Sequence, residues 1–293
     1  MNITMLEFSP YLLLALAILS LWINRTIIIW GSLFLLALIL GFLTHKLTLL
    51  SIPSIFAVGI LYYLTFKKSC PIWLRILCGV LASVLSCALA EQQIPGFAPL
   101  NVVSDVVLHP KAYPYTLHLN FDKALIGLII LGFGWDFINR QALTLKKIVQ
   151  IIPIVIVGIF IILLIAIGLH FVEFDPRWTP LFWIWSFSNL IFVCVGEEAF
   201  FRGFIQNILA RAFSTYFQKP LLANALAIFI ASFIFGLVHF YGGPKFIFLA
   251  TCVGLLCGYC YYKTGRIEAS IFTHFLVNAT HFLGFTYPAL QQF

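Results

Sequence analysis

Residues 181–212 read LFWIWSFSNLIFVCVGEEAFFRGFIQNILARA. Leu181 to Val195 are almost wholly apolar, and Glu197, Glu198 and Arg202 follow with no Pro to stop a helix. The stretch predicts one long helix with three charges near its middle. An apolar helix of this length belongs in a lipid bilayer. Each ionised residue at bilayer depth costs roughly 2.5–3.5 kcal/mol, so the three cost on the order of 8–10 kcal/mol before pairing. Charges retained at that cost point to function. The helix period then sorts them. Glu198 and Arg202 are spaced i,i+4 and share a face, so they are expected to pair. Glu197 is turned by about 100° from Glu198 and lacks that partner. Glu198 and Arg202 are therefore assigned to support and Glu197 to chemistry. The bland alternative is a purely structural ion network.

The rest of the chain has the same character as this helix. Hydrophobic residues make up 62% of 293 positions and charged residues 9%, with a mean hydropathy of +1.05. Soluble domains carry roughly 25% charged residues, so a soluble fold is excluded. About nine to ten spans are expected, near 8–24, 27–44, 47–66, 72–90, 122–138, 148–171, 180–210, 222–241, 245–262 and 267–286. The fifth is the weakest, being short and containing Asp136. The fold class is thus all-α, a polytopic transmembrane helix bundle. Three regions are expected: a four-span segment over 1–90, a polar loop over 91–119 and a core over 120–293. Pro95, Gly96, Pro110 and Pro114 argue against regular structure in the loop. The first segment lacks a basic leader and reads as a retained span.

The net charge of +7 does not indicate nucleic acid here, because the cations sit between spans and set topology. One alternate set of breaks holds Arg25, Lys67, Lys68, Arg140, Lys146, Lys147, Arg211, Lys219, Lys263 and Arg266. The other holds Lys46, Lys111, Lys123, Arg177 and Lys245. The richer set is expected in the cytoplasm, with both termini outside. The seven cysteines lie mostly within apolar runs and suggest no disulfide framework. Cys257 and Cys260 have redox spacing but lie in an apolar helix, where packing is the expected role. Gly254 and Gly258 allow close helix packing inside the bundle.

Two further spans carry residues unsuited to lipid. His239 ends the eighth. Ser270, His274, Asn278 and His281 form a polar stripe on one side of the tenth, which must face protein or a water-filled cavity. A lone buried His is usually a packed core residue, and polar stripes also serve helix–helix hydrogen bonding. An acidic cluster and two His-bearing spans converging in one bundle make a stronger case for a site.

Taken in order, Glu197-Glu198-x-x-x-Arg202, Phe235-x-x-x-His239 and His274-x-x-x-Asn278 resemble the three motifs of the CPBP family. That family contains the CAAX prenyl endopeptidases and the bacteriocin-processing or immunity proteins, also called the Abi family. The resemblance covers about residues 180–285, and the first four spans lie outside it. It implies an intramembrane endopeptidase. Glu197 and His239 would activate a water, and His274 and Asn278 would stabilise the tetrahedral oxyanion, with Glu198 and Arg202 in support. A carboxylate can serve as general base, and His and Asn side chains can build an oxyanion hole. Glu197, His239 and His274 could instead bind catalytic zinc; a reaction without a cofactor is the expectation. No H-E-x-x-H, serine-protease G-x-S-G or G-x-G-D motif is present.

The expected partners are a membrane-embedded or lipidated peptide or protein substrate and the lipid bilayer, with no nucleic acid. The expected location is a cell membrane, specifically the bacterial cytoplasmic membrane. Two alternatives remain at this point: a non-catalytic immunity or scaffolding protein of the same fold, and a proton-coupled transporter. Intramembrane Glu and His also mark proton relays, but the paired repeats of many transporters are not visible.

Overall fold

The computed structural model describes residues 4–139, 141–142 and 144–291; Arg140, counted above among the cytoplasmic cations, lies outside them. The helices are α1 (Met5–Ile23), α2 (Ile27–Leu43), α3 (Ile52–Phe66), α4 (Ile72–Ala90), α5 (Phe121–Ile138), α6 (Leu145–Gly168), α7 (Leu181–Phe217), α8 (Pro220–Leu237), α9 (Gly243–Thr264) and α10 (Ile267–Gly284). Each of the ten expected segments is helical, and the protein is an all-α polytopic bundle. Among the described residues, seven helices are long and apolar enough to cross a membrane, counting α3 from Leu49 and α9 from Phe240. Among the others, α2 has only 17 residues. Helix α5 carries Asp122, Lys123 and Asp136, and α10 carries Glu268 with two histidines.

The outer faces of the spans identify their solvent. On α6, Ile151, Val155, Ile162 and Ala166 are buried, whereas Ile152, Ile156, Phe160 and Leu164 are exposed. The exposed stripe is as apolar as the buried one. In water such a helix would be amphipathic; lipid removes that demand, and the helix satisfies its backbone internally.

The chain divides into two compact units that interleave in sequence. The first comprises residues 1–102, 117–137 and 191–196; the second comprises 103–116, 138–190 and 197–293. In the first unit α1 packs on α2, and α3 on α4. Helix α5 is apolar nearly all round and buried from Ala124 to Leu131. Gly127 meets Gly196 backbone to backbone, and a Cβ on Gly127 would stand 2.9 Å from the Cα of Gly196. This fixes α7 immediately before Glu197.

In the second unit α9 packs against α6, α8 and α10. One core joins Ile162, Leu249, Val253, Cys257 and Val277, and another joins Trp185, Ala279 and Phe282. The two glycines of α9 face neighbouring helices of the same unit. A Cβ at Gly254 would lie 3.0 Å from Ser232 Cα, and one at Gly258 would lie 2.8 Å from Gln206 Oε1. Cys257 and Cys260 are buried, and all seven described cysteines are free thiols.

The region expected as a polar loop contains regular structure. Strands β1 (Leu100–Val106) and β2 (Tyr115–Leu119) pair as a two-stranded sheet. Pro110 and Pro114 lie in the connection, not in the strands. In β2 the buried Leu117 and Leu119 flank an exposed His118, the period-two pattern of a half-buried strand. Two prolines in the connection between such short strands hid the pattern in the sequence.

Candidate active site

Helix α7 is not a uniform α-helix. Leu181–Phe187 is α-helical, Ser188–Cys194 is π-helical, Val195–Glu198 returns to α, Ala199–Gln206 is π-helical again, and Asn207–Phe217 is α. The two glutamates thus occupy one short α turn between two widened stretches. Wide turns of this kind are rare and concentrate at functional sites.

The two carboxylates have different surroundings. Glu198 is fully buried. Its Oε1 accepts from Nδ1 of His274 at 2.9 Å. Its Oε2 accepts from the Ser270 hydroxyl and stands 3.2 Å from Nε of Arg202. The Arg202 contact has ion-pair distance without hydrogen-bond alignment, since the guanidinium nitrogens have no aligned acceptor. The guanidinium instead lies over aromatic rings, 4.9 Å from the centroid of Phe235 and 5.9 Å from that of Phe201. Cation–π attraction strengthens when the cation is desolvated, as Arg202 is.

Glu197 is half-buried. Its Oε2 is shielded from solvent and has no hydrogen-bond partner. It lies close enough to His274 to interact electrostatically. The i,i+4 pairing of Glu198 with Arg202, and the separation of Glu197 from that pair, follow the helix-face expectation.

His239 lies just beyond the last turn of α8. Its Nδ1 is 2.7 Å from the Phe235 carbonyl oxygen. A carbonyl only accepts, so Nδ1 carries a proton, and a neutral ring presents its lone pair at Nε2. His274 is held by the same logic: Nδ1 donates to Glu198, and Nε2 faces away from that bond. A single ring bridges the two histidines. Phe235 has its centroid 4.8 Å from that of His239 and 5.6 Å from that of His274. His239 follows the last turn of α8 whereas His274 lies about two turns into α10, and the Phe235 ring packs against both.

Asn278 donates from Nδ2 to Oδ1 of Asn189 at 3.2 Å, and both amides have further contacts. Asn189 lies in the first π-helical stretch and escaped the sequence reading; its signal is an amide in the otherwise apolar Leu181–Val195 run. Ser270 was legible as part of the polar stripe, but its bond to Glu198 was not. The fourth stripe member, His281, lies apart from the group. Its Nε2 is 3.2 Å from the Thr286 carbonyl oxygen, and its ring packs on Tyr287.

The structure thus gathers Glu198, Arg202, Ser270 and His274 directly, with His239 joined through the Phe235 ring; Asn278 lies one turn after His274 on α10 and bonds Asn189. Among the described residues, no group of three or more His, Cys, Asp or Glu side chains stands together in a way that could hold a metal ion.

Residues 178–280 match the family model described as Rce1-like: Type II CAAX prenyl endopeptidase Rce1-like. No curated protein and no solved structure matches the chain. The matched segment includes all seven motif residues from Glu197 to Asn278 and ends before His281. At the level of the family this implies a multi-pass membrane protease acting on a membrane-associated peptide. Residues 178–280 thus carry an Rce1-like type II CAAX prenyl endopeptidase domain, which agrees with the CPBP resemblance of the three motifs.

Proposed function

We propose that this protein hydrolyses a peptide bond of a membrane-associated protein or peptide with a water activated by Glu197 and His239, and that His274 and Asn278 hold the oxyanion. The observation that carries the reading is the contrast between neighbouring carboxylates. Both oxygens of Glu198 are engaged, while Oε2 of Glu197 is buried with nothing to accept from. A desolvated acceptor without a donor costs free energy. A water donating to Glu197 removes that deficit and is at once the nucleophile.

In this mechanism the Glu197 carboxylate takes a proton from the water as its oxygen attacks the carbonyl carbon of the substrate. The Nε2 lone pair of His239, fixed by the Phe235 carbonyl, orients the same water. The C=O bond opens to a tetrahedral oxyanion. Asn278 donates to it from its amide. His274 donates from Nε2 when both ring nitrogens carry protons, and the Glu198 carboxylate at Nδ1 stabilises that imidazolium. The C–N bond then breaks, and the leaving amine takes the proton held by Glu197. Glu198 therefore does more than neutralise Arg202: it orients and charges His274, as the buried carboxylate does for the histidine of a hydrolase triad.

The test uses full-length protein purified in detergent and a panel of fluorogenic peptides with prenylated and unprenylated tails. Wild type should cleave at least one member, Glu197→Gln should lose at least about 100-fold in kcat, and a zinc chelator should leave the rate unchanged. Chelator-sensitive cleavage would replace the side-chain mechanism with metal chemistry. A well-folded wild type that cleaves nothing across the panel would favour a non-catalytic immunity or scaffolding role.

A further inference from the structure

We infer that Phe246 is a positioning residue that holds the imidazole of His239 in the plane from which Nε2 meets the water; the inference rests on the endopeptidase reading above. The bond from Nδ1 to the Phe235 carbonyl fixes one atom of the His239 ring. It leaves the plane open, because the outer torsion of a histidine has a broad minimum. Two rings close it. Phe235 packs on His239 with 4.8 Å between centroids and 55° between planes. Phe246 stands at 5.3 Å and 83°, the T-shaped arrangement that ring pairs favour. Neither contact depends on which ring nitrogen carries the proton. Phe246 is itself held by Phe171, whose ring stacks on it at 5.6 Å and 8°.

The turn after His239 brings this ring back. Phe246 follows His239 by seven residues, across the turn from α8 to α9. The amide of Gly242 donates to the His239 carbonyl at 3.0 Å and closes a tight turn. Gly243 has a φ of +79°, a conformation open to glycine, and Pro244 stands in the first turn of α9. A Cβ on Gly242 would lie 2.8 Å from Cγ of Phe246, with Cδ1 closer still. The ring therefore occupies the space that a side chain at position 242 would take. Phe240 and Tyr241, on the same turn, are exposed, whereas Phe246 is half-buried. Phe246 does not touch the reacting atoms in this reading and acts through His239.

The experiment uses the purified full chain and the peptide that wild type cleaves best. Phe246→Leu removes the ring and keeps an apolar side chain; Phe246→Tyr keeps the ring; Gly242→Ala keeps Phe246 and drives a methyl into its seat. Thermal unfolding in detergent checks each. Expected are a fall in kcat of about tenfold in Phe246→Leu with KM unchanged, a fall of the same order in Gly242→Ala, and a kcat within about twofold of wild type in Phe246→Tyr. Adding Phe246→Leu to His239→Gln should lower kcat by less than about twofold more, since both act on one group. A packing role alone would lower the unfolding temperature and leave the kcat of folded protein unchanged. Wild-type kcat in folded Phe246→Leu, a change confined to KM, or additive losses with His239→Gln would overturn the inference. If His239→Gln itself cleaves like wild type, the water-activating assignment fails first and the inference falls with it. If His239→Gln is impaired and Phe246→Leu is not, only the positioning role fails.

Discussion

Glu197→Gln and Glu198→Gln exchange the same atoms at adjacent positions, and the structure assigns them opposite effects on stability. Glu198 is fully buried and meets Arg202, His274 and Ser270. Its replacement by Gln keeps the shape and one acceptor for His274 but removes the charge opposite a guanidinium that is also fully buried. The new NH2 group, in the place of Oε2, meets the Ser270 hydroxyl, which can turn to accept, and the Arg202 guanidinium, which cannot. Breaking a buried pair in this way costs about 3–5 kcal/mol. At about 1.4 kcal/mol per factor of ten, the folding equilibrium falls by roughly two to three and a half powers of ten. Glu197 has no such partner, and its buried Oε2 accepts nothing. Its neutralisation removes a desolvated charge, so Glu197→Gln should be as stable as wild type or up to about 1 kcal/mol more stable, although inactive. The assay is reversible unfolding in mixed detergent micelles, read by intrinsic Trp fluorescence, with cleavage measured on the same preparations. A third variant, Glu198→Gln with Arg202→Met, should recover most of the lost stability because no buried charge remains. Equal destabilisation by the two single substitutions, or none from Glu198→Gln, would refute the division between structural and reactive carboxylates.

Three further outcomes follow from the geometry. His239→Gln places an amide near the position of Nε2 without a base; kcat should fall by about 10²- to 10⁴-fold with stability within about 1 kcal/mol of wild type, as measured on the peptide and unfolding assays together. Ser270→Ala removes one charge-assisted donor from Glu198 and should destabilise by about 1.5–3 kcal/mol in the same unfolding assay. Gly254→Ala drives a methyl toward the Ser232 backbone and should cost about 1–3 kcal/mol. Gly168→Ala, with nothing within 4 Å of the added carbon, is its control and should change stability by no more than about 1 kcal/mol.

The membrane fold was legible because lipid imposes a length and a composition on every span, and each of the ten segments proved helical. The charges of α7 were legible for the same reason: their cost in lipid made Glu197, Glu198 and Arg202 conspicuous, and a simple i,i+4 count paired the right two. What the helix period could not supply was contact between helices. Nothing local to Glu198 announces that Ser270 and His274, more than seventy positions later, complete its coordination. The helix count also assumed a constant 3.6-residue turn, which α7 does not keep, so Asn189 had no visible reason to meet Asn278. His281 shows the opposite error. It shares the polar stripe of α10 by spacing, yet the helix ends three residues later and its ring turns to the chain that follows. The strand pair within 91–119 was missed because two prolines in its connection dominate a pattern only five to seven residues long.

The π-helical stretches of α7 also bear on how this helix tolerates insertion and deletion. A wide turn accommodates one residue more than an α turn, so removing a single residue from Ser188–Cys194 can let that stretch relax toward α geometry without breaking the helix. Because a π turn winds less per residue, the residue removed is the one the wide turn had absorbed, and the segment before it would stay nearly in phase with Glu197. The same deletion within the α-helical Asn207–Phe217 has no such slack and would turn one side of that helix by about 100° against the other. The first stretch is therefore a register buffer for the N-terminal half of α7.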